Sequence, residues 1–207
     1  MKLYYAPGTC SLSPHIVASE LGIKLDFEKV DTAAKRTEAG RDYWQINPKG
    51  YVPALELDDG EVLTENPAIM QYLADRVSGA RLAPANGTFA RVRLQEMLGY
   101  INSEIHKTYS PLFKTDTPAE TRAERKAYLQ RRYELLEKIL SKQDWLLGNQ
   151  YSAADAYLFT VTRWAAALDV DLSAFPAVRA FQERVAARPA VQSALMAEGL
   201  LKQKAAA

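Results

Sequence analysis

The chain has 207 residues, a formal net charge of +1 and one cysteine, with 48% hydrophobic and 25% charged residues. This is an ordinary globular composition, long enough to bury one large core or two modest ones, and its balanced charge gives no electrostatic case for nucleic acid or a membrane surface. One thiol excludes an intrachain disulfide and a zinc knuckle; no stretch approaches the roughly 20 apolar residues of a membrane span, and with no apolar signal core the expected compartment is the cytoplasm.

In chain order, Lys2–Tyr5 predicts a short strand ended by the Pro7-Gly8 turn, and Leu12, Ile16, Val17 and Leu21 predict a helix that stops near Gly22. Phe27–Val30 predicts a second strand. Beyond Tyr43 and Trp44, Ala54–Leu57 and Glu61–Leu63 predict a hairpin turning at Asp58-Asp59-Gly60. Pro67 suits a first helical position, followed by Ile69, Leu73 and Val77 on one face. The order is βαβ, a loop or short helix, then ββα, which makes residues 1–80 a small mixed sheet with helices against it.

Gly, Pro and Asn then break the pattern and place a linker at 81–88. Residues 89–207 read as an all-helical domain, with helices expected at 89–113, 118–142, 152–168 and 176–188, a shorter one at 191–199, and a short Ala tail. Ser152-Ala153-Ala154-Asp155 is an N-terminal capping signature, with Asp in place of Glu or Gln. It precedes AYLFTVTRWAAAL, expected to be the central helix of this half. The basic run Arg122–Arg132 alternates with Glu124, Tyr128 and Leu129 and reads as a solvated helix face.

Cys10 falls between the first strand and the first helix. A lone free cysteine is ordinarily a small buried hydrophobe. A helix start, however, offers unpaired N–H groups and the positive end of the dipole, which favour a thiolate. The fragment leaves both open. It reads C-x-x-S from Cys10 to Ser13, so there is no resolving cysteine for a dithiol relay. Val52-Pro53 is either a strand-edge proline or a cis turn. Glu65-Asn66 lies at a helix start, where Asn is a good cap and a carboxylate can be bound. Ser103, Glu104, His106 and Lys107 form a polar cluster within the helix FARVRLQEMLGYINSEIHKTYSPLF, with positions 99, 103, 106 and 107 on one face. His15, five residues after Cys10, reads as a structural histidine.

Together, PGTCSLSPH, NPKGYVPAL, LTENPAIMQYLAD, SEIHK, LAPAN and SAADAYLFTVTRW resemble the glutathione transferases of the bacterial beta class, over essentially the whole chain. The resemblance implies a thioredoxin-like α/β domain followed by an all-α domain, with Pro53 cis and Val52 pairing with the cysteinyl portion of glutathione. It implies that Glu65 and Asn66 hold the γ-glutamyl group and that Lys35 meets the glycine carboxylate. It places His106 near the cysteine sulfur, where it can donate to the sulfur of glutathione, with Lys107 adding positive charge. Ser103 and Glu104 would reach glutathione in the neighbouring subunit of a homodimer. Where relatives commonly carry Asn, this chain has Gly99, which removes one such contact; Asn66 stands where many carry Ser. An apolar second-substrate pocket between the domains would draw on Tyr5, Phe113 and Trp164.

The expected activity joins glutathione's thiol to small hydrophobic electrophiles in a cytoplasmic detoxification role. Glutathione is the co-substrate, and no permanently bound cofactor or metal is expected. Glutathione-dependent thiol transfer or reductive dehalogenation, with Cys10 as a covalent nucleophile, is a second reading. A non-catalytic binding protein on the same fold is a third.

Overall fold

The computed structural model describes residues 1–77, 79 and 82–201. Ala80 and Arg81, next to and within the expected linker, and the Ala tail lie outside the described residues. The chain divides into two compact units, Met1–Ala80 together with the stretch from Ala187 onward, and Arg81–Ala186.

The first unit is thioredoxin-like. Strands β1 (Lys2–Tyr5), β2 (Asp26–Asp31), β3 (Arg36–Thr37), β4 (Ala54–Glu56) and β5 (Val62–Thr64) form one sheet in the order β3-β2-β1-β4-β5. Only β1 and β2 are parallel, with Leu3 opposite Phe27; β4 pairs antiparallel with β1, setting Leu3 opposite Leu55. Because side chains alternate along a strand, Leu3 and Tyr4 point to opposite faces, and both are completely buried. The sheet is therefore covered on both sides. Tyr4 packs with Ala6, Val30, Tyr43, Val52 and Ala54 on one face.

Helix α1 (Leu12–Leu21) ends where Gly22 takes φ 64°, a left-handed cap that a residue with a side chain adopts only at a cost. Helix α2 (Asn66–Asp75) packs against it. Strand β3 was not expected, because two residues carry no periodicity to read. The last helix, α9 (Pro189–Ala197), also differs from expectation. It belongs with the first unit, not the helical domain, because its buried Val191, Ala194 and Leu195 accompany packing along α1.

The second unit is helical: α3 (Phe89–Tyr100), α4 (Lys107–Tyr109), α5 (Ala119–Leu140), α6 (Ala153–Thr162), α7 (Trp164–Ala167) and α8 (Pro176–Ala186). The expected single helix over 89–113 changes character along its length, running as an α-helix to Tyr100, a π-helix over Ile101–His106, one α turn and a 3-10 turn over Ser110–Phe113. All ten residues of α6 are buried. Its start is fixed by Asp155, whose Oδ2 accepts from both the N–H and the hydroxyl of Ser152 at 2.8 Å, while Oδ1 accepts from the Leu146 N–H at 2.8 Å. Glu137 of α5 similarly caps α8, accepting from the N–H groups of Ala177 and Val178 at 3.0 Å each.

Asp155→Ala leaves two buried backbone donors without their acceptor and removes the cap. It is expected to cost about 2–3 kcal/mol, read as a lower unfolding midpoint in denaturant with an unchanged slope.

Candidate active site

The turn from β1 into α1 presents Cys10, and its own polar side chains fasten it. The Ala6 carbonyl accepts from the Thr9 N–H at 3.2 Å, the Thr9 hydroxyl at 2.8 Å and the Ser11 hydroxyl at 3.1 Å. Ser11 stands at the N-cap of α1 but turns its hydroxyl back to Ala6, so no side chain caps the helix start. Cys10 is partly buried and donates its thiol to the Val52 carbonyl at 3.3 Å. The Val52–Pro53 peptide is cis.

Burial pushes the Cys10 thiol up to about 12, and the charge of Glu65 adds to the rise. The backbone N–H groups of Cys10 and Ser11 act in the opposite direction, as a helix start should, and they lose to burial. In this state Cys10 is a neutral thiol at physiological pH.

At the start of α2 the expected cap is replaced by a different device. Glu65 occupies the N-cap position with φ 73° and ψ 120°, and makes no side-chain cap. This backbone region strongly favours glycine, and strain held at such a position points to function. The Asn66 side chain, buried at 4% exposure, donates through Nδ2 to the Cys10 carbonyl at 3.0 Å. Its Oδ1 has no hydrogen-bond partner among the described residues. Asn66 therefore ties the start of α2 to the Cys10 turn instead of capping its own helix. The Glu65 carboxylate is met by Lys49 Nζ and by the Tyr51 hydroxyl, each at 2.7 Å from Oε1. Neither residue was singled out from sequence, since exposed lysines and tyrosines carry no distinguishing pattern.

Lys35 adopts φ 55° and donates to the Gly50 carbonyl at 2.6 Å, with its ammonium 5.5 Å from the centre of the Trp44 ring. The same ring explains Gly50: a Cβ there would lie 2.4 Å from it. Cys10, Lys35, Val52, Pro53, Glu65 and Asn66 all belong to the first unit. His15 does too, where it pairs with Glu198 at 2.9 Å. Tyr5 packs edge-on against Phe27 with ring centres 5.7 Å apart.

In the second unit the π-helix closes with the Lys107 N–H bonded to the Asn102 carbonyl, an i to i−5 step. The wider turn displaces the α-helical register assumed for residues 99, 103, 106 and 107, and such bulges recur at functional sites. His106 Nδ1 lies 2.6 Å from the Tyr157 hydroxyl, which donates to Asn102 Oδ1 at 2.8 Å. A phenol has one proton. Asn102, Tyr157 and His106 thus form a hydrogen-bonded chain, in which the tautomer of the imidazole sets which atom of the His106–Tyr157 pair donates. Trp164 flanks the imidazole at 5.1 Å between ring centres and meets Phe113 edge-on at 5.2 Å. Tyr157 lay hidden in the most apolar helix of the sequence. Asn102 sat in a polar interruption already noticed, and was the more legible of the two.

Ser103 donates to the Gly99 carbonyl at 3.0 Å. Glu104 accepts from the Tyr128 hydroxyl at 2.5 Å, and the Arg132 guanidinium lies 2.8 Å away. The Tyr128 bond, helped by Arg132, holds the Glu104 carboxyl below its ordinary range. Lys107 is exposed.

Comparison with known proteins agrees with this architecture. The family model for the N-terminal domain of glutathione S-transferases matches residues 8–76, and that for the C-terminal domain matches residues 100–189. The glutathione S-transferase GstA of Escherichia coli O157:H7 is 46% identical over 200 residues, covering 97% of this chain and 100% of that protein. Among solved structures, a beta-class glutathione S-transferase of Sphingomonas chungbukensis superposes with TM-score 0.94 at 44% identity, covering 97% of this chain and 100% of that one. A sphingomonad glutathione S-transferase complexed with glutathione gives TM-score 0.93 at 45% identity, with the same coverage. The chain belongs to the glutathione S-transferases, and its structural neighbours include the bacterial beta class. It is a transferase by family, with its substrates still to be assigned.

A partly buried, neutral thiol makes Cys10 slow to alkylate. In the ligand-free protein, iodoacetamide at pH 7.5 is expected to react with Cys10 at least tenfold more slowly than with free cysteine, whose thiol titrates near 8.5, and the rate should still be rising above pH 10. Mass spectrometry of timed samples reads both.

Proposed function

We propose that the chain is a cytoplasmic homodimeric transferase that joins the sulfur of glutathione to the electrophilic carbon of small hydrophobic compounds. The observation that carries this reading is the hydrogen-bonded chain from Asn102 through Tyr157 to His106 Nδ1, an orientation that suits Nε2 to serve as a base for a thiol proton. Glutathione gives up its S–H proton to Nε2, and the imidazolium then donates that hydrogen back to the thiolate as a hydrogen bond. Thiolate attack on the electrophile completes the transfer. Cys10, neutral in the ligand-free state, serves as a hydrogen-bond donor to the same sulfur.

The remaining assignments follow the chemistry of the groups. The unpaired Asn66 Oδ1 and the Glu65 carboxylate suit the ammonium of the γ-glutamyl group, and the start of α2 suits its carboxylate. Val52 offers its backbone to the cysteinyl residue, and Lys35 its charge to the glycine carboxylate. Lys107 adds positive charge. Ser103 and Glu104 are assigned to the glutathione of the partner subunit, with Glu104 held in place by Tyr128 and Arg132. Phe113 and Trp164, already in contact, are assigned to the electrophile, with Tyr5 as a further candidate. The complex of the sphingomonad relative with glutathione supports the choice of co-substrate.

Glutathione-dependent thiol transfer is a second activity, favoured by the placement of Cys10 Sγ against the Val52 carbonyl. In that reaction Cys10 attacks a mixed disulfide, releases one thiol, and is itself released by glutathione as the second disulfide forms.

A panel of electrophiles and mixed disulfides, assayed with glutathione, separates these roles. Cys10→Ala should lose thiol transfer and keep a reduced conjugating activity. Tyr157→Phe should lower the conjugation kcat about tenfold, a fraction of the effect of a general base, with little change in the KM for glutathione. Conjugation that is untouched in Tyr157→Phe would remove His106 as the base. Glu65→Ala should weaken glutathione binding by about 1.5–3 kcal/mol, the scale for hydrogen bonds to charged groups, and titration calorimetry showing unchanged affinity would take Glu65 out of the site.

A further inference from the structure

The first unit contains a buried carboxylate that the proposed chemistry does not use. Glu198 follows the last residue of α9, and its side chain is completely covered. A carboxylate is poorly placed there: it sits at the negative end of a helix dipole and away from water. Both of its oxygens are nevertheless engaged. Oε1 lies 2.9 Å from Nδ1 of His15 on α1, and Oε2 accepts from the Gly8 N–H at 2.9 Å. An apolar residue would fill this position at lower cost, and a polar group kept in such a place is explained by what it positions.

What it positions is the turn that carries Cys10. Gly8 has φ 73° and precedes Cys10 by two residues. Leu200, just past Glu198, covers the same glycine closely, since a Cβ on Gly8 would lie 3.3 Å from its Cδ2. The His15 ring is held in turn against Phe27, 4.3 Å between ring centres. At the other end of α9, Arg188 makes a two-pronged pair with Glu20 at 2.6 and 2.8 Å. The helix therefore runs antiparallel along α1 and is tied at both ends, and only the Glu198 end touches the Cys10 turn.

We propose that Glu198 is a positioning residue for Cys10, acting through the Gly8 N–H and His15 to hold the thiol in place against the Val52 carbonyl. The proposal rests on the reading of Cys10 as the functional thiol, and it concerns the ligand-free protein. Its test therefore needs no glutathione, and a failure of the transferase assignment would leave it standing.

The test is the pH profile of Cys10 alkylation by iodoacetamide. In Glu198→Ala the turn is freed and the thiol meets water. The midpoint should move down toward the ordinary thiol value near 8.5, with at least a tenfold faster rate at pH 7.5. Glu198→Gln, which still offers an oxygen to Gly8, should stay within about threefold of wild type. Arg188→Ala unties the far end of the same helix and should lose stability while keeping the wild-type profile. A wild-type profile in Glu198→Ala, or an equal shift in Arg188→Ala, would overturn the proposal by showing that the pair only anchors α9. Where Glu198→Ala does not fold, hydrogen exchange on the wild-type protein decides: a Gly8 amide protected as well as the core of α1 supports the proposal, and one exchanging like an open loop refutes it.

Discussion

The hydrogen bond from the Asn66 side chain to the Cys10 carbonyl is the constraint on which the first unit's site depends. It joins the starts of two helices, α1 and α2, that are 56 residues apart in sequence, and so brings two sets of helix-end N–H groups to one place. The Cys10 thiol bond to Val52 adds the cis-proline segment to the same point. Three separate stretches of chain are pinned by side-chain-to-backbone bonds. Backbone donors and acceptors held this way are suited to an extended peptide, which can pair with them in turn.

The proton arrangement follows from the same packing. The turn that pins Cys10 also draws it partly out of water, and that desolvation outweighs the helix start, so the protein's own thiol is held neutral and donates to the Val52 carbonyl. Stabilising a sulfur anion then falls to groups aimed at a ligand. In the function proposed above that task is assigned to His106, whose ring is held by the Tyr157 hydroxyl, itself bonded to Asn102, before any substrate arrives. Groups placed in advance need no rearrangement at the moment of reaction, the condition under which electrostatic stabilisation is most effective.

Much of this was legible in the sequence because it depends on local pattern. The strand periodicities, the Gly22 stop, the Pro67 helix start and the Ser152–Asp155 capping box are all short-range signals, and each produced its element. Three things were not legible. The direction of the Cys10 shift depends on how deeply the turn is buried, and no run of neighbouring residues encodes that. The role of Asn66 depends on a partner 56 residues away; read locally, it is simply a cap. The π-helix over Ile101–His106 has no propensity signature of its own, and it carries His106 away from the face its α-helical spacing implies. The final helix shows the same limit at larger scale. Its periodicity gives a helix, but its packing along α1, with the pairs that Glu198 and Arg188 make there, is what joins it to the first unit.

The central claim is that the anion in this protein is the sulfur of glutathione and not that of Cys10. Ultraviolet difference spectroscopy near 240 nm, where thiolates absorb, tests it directly by titrating pH with and without saturating glutathione. The account predicts no thiolate signal from the ligand-free protein at pH 7, a signal on adding glutathione that titrates below the ordinary thiol value of about 8.5, and its survival in Cys10→Ala. A thiolate signal at pH 7 without glutathione, lost in Cys10→Ala, would contradict it.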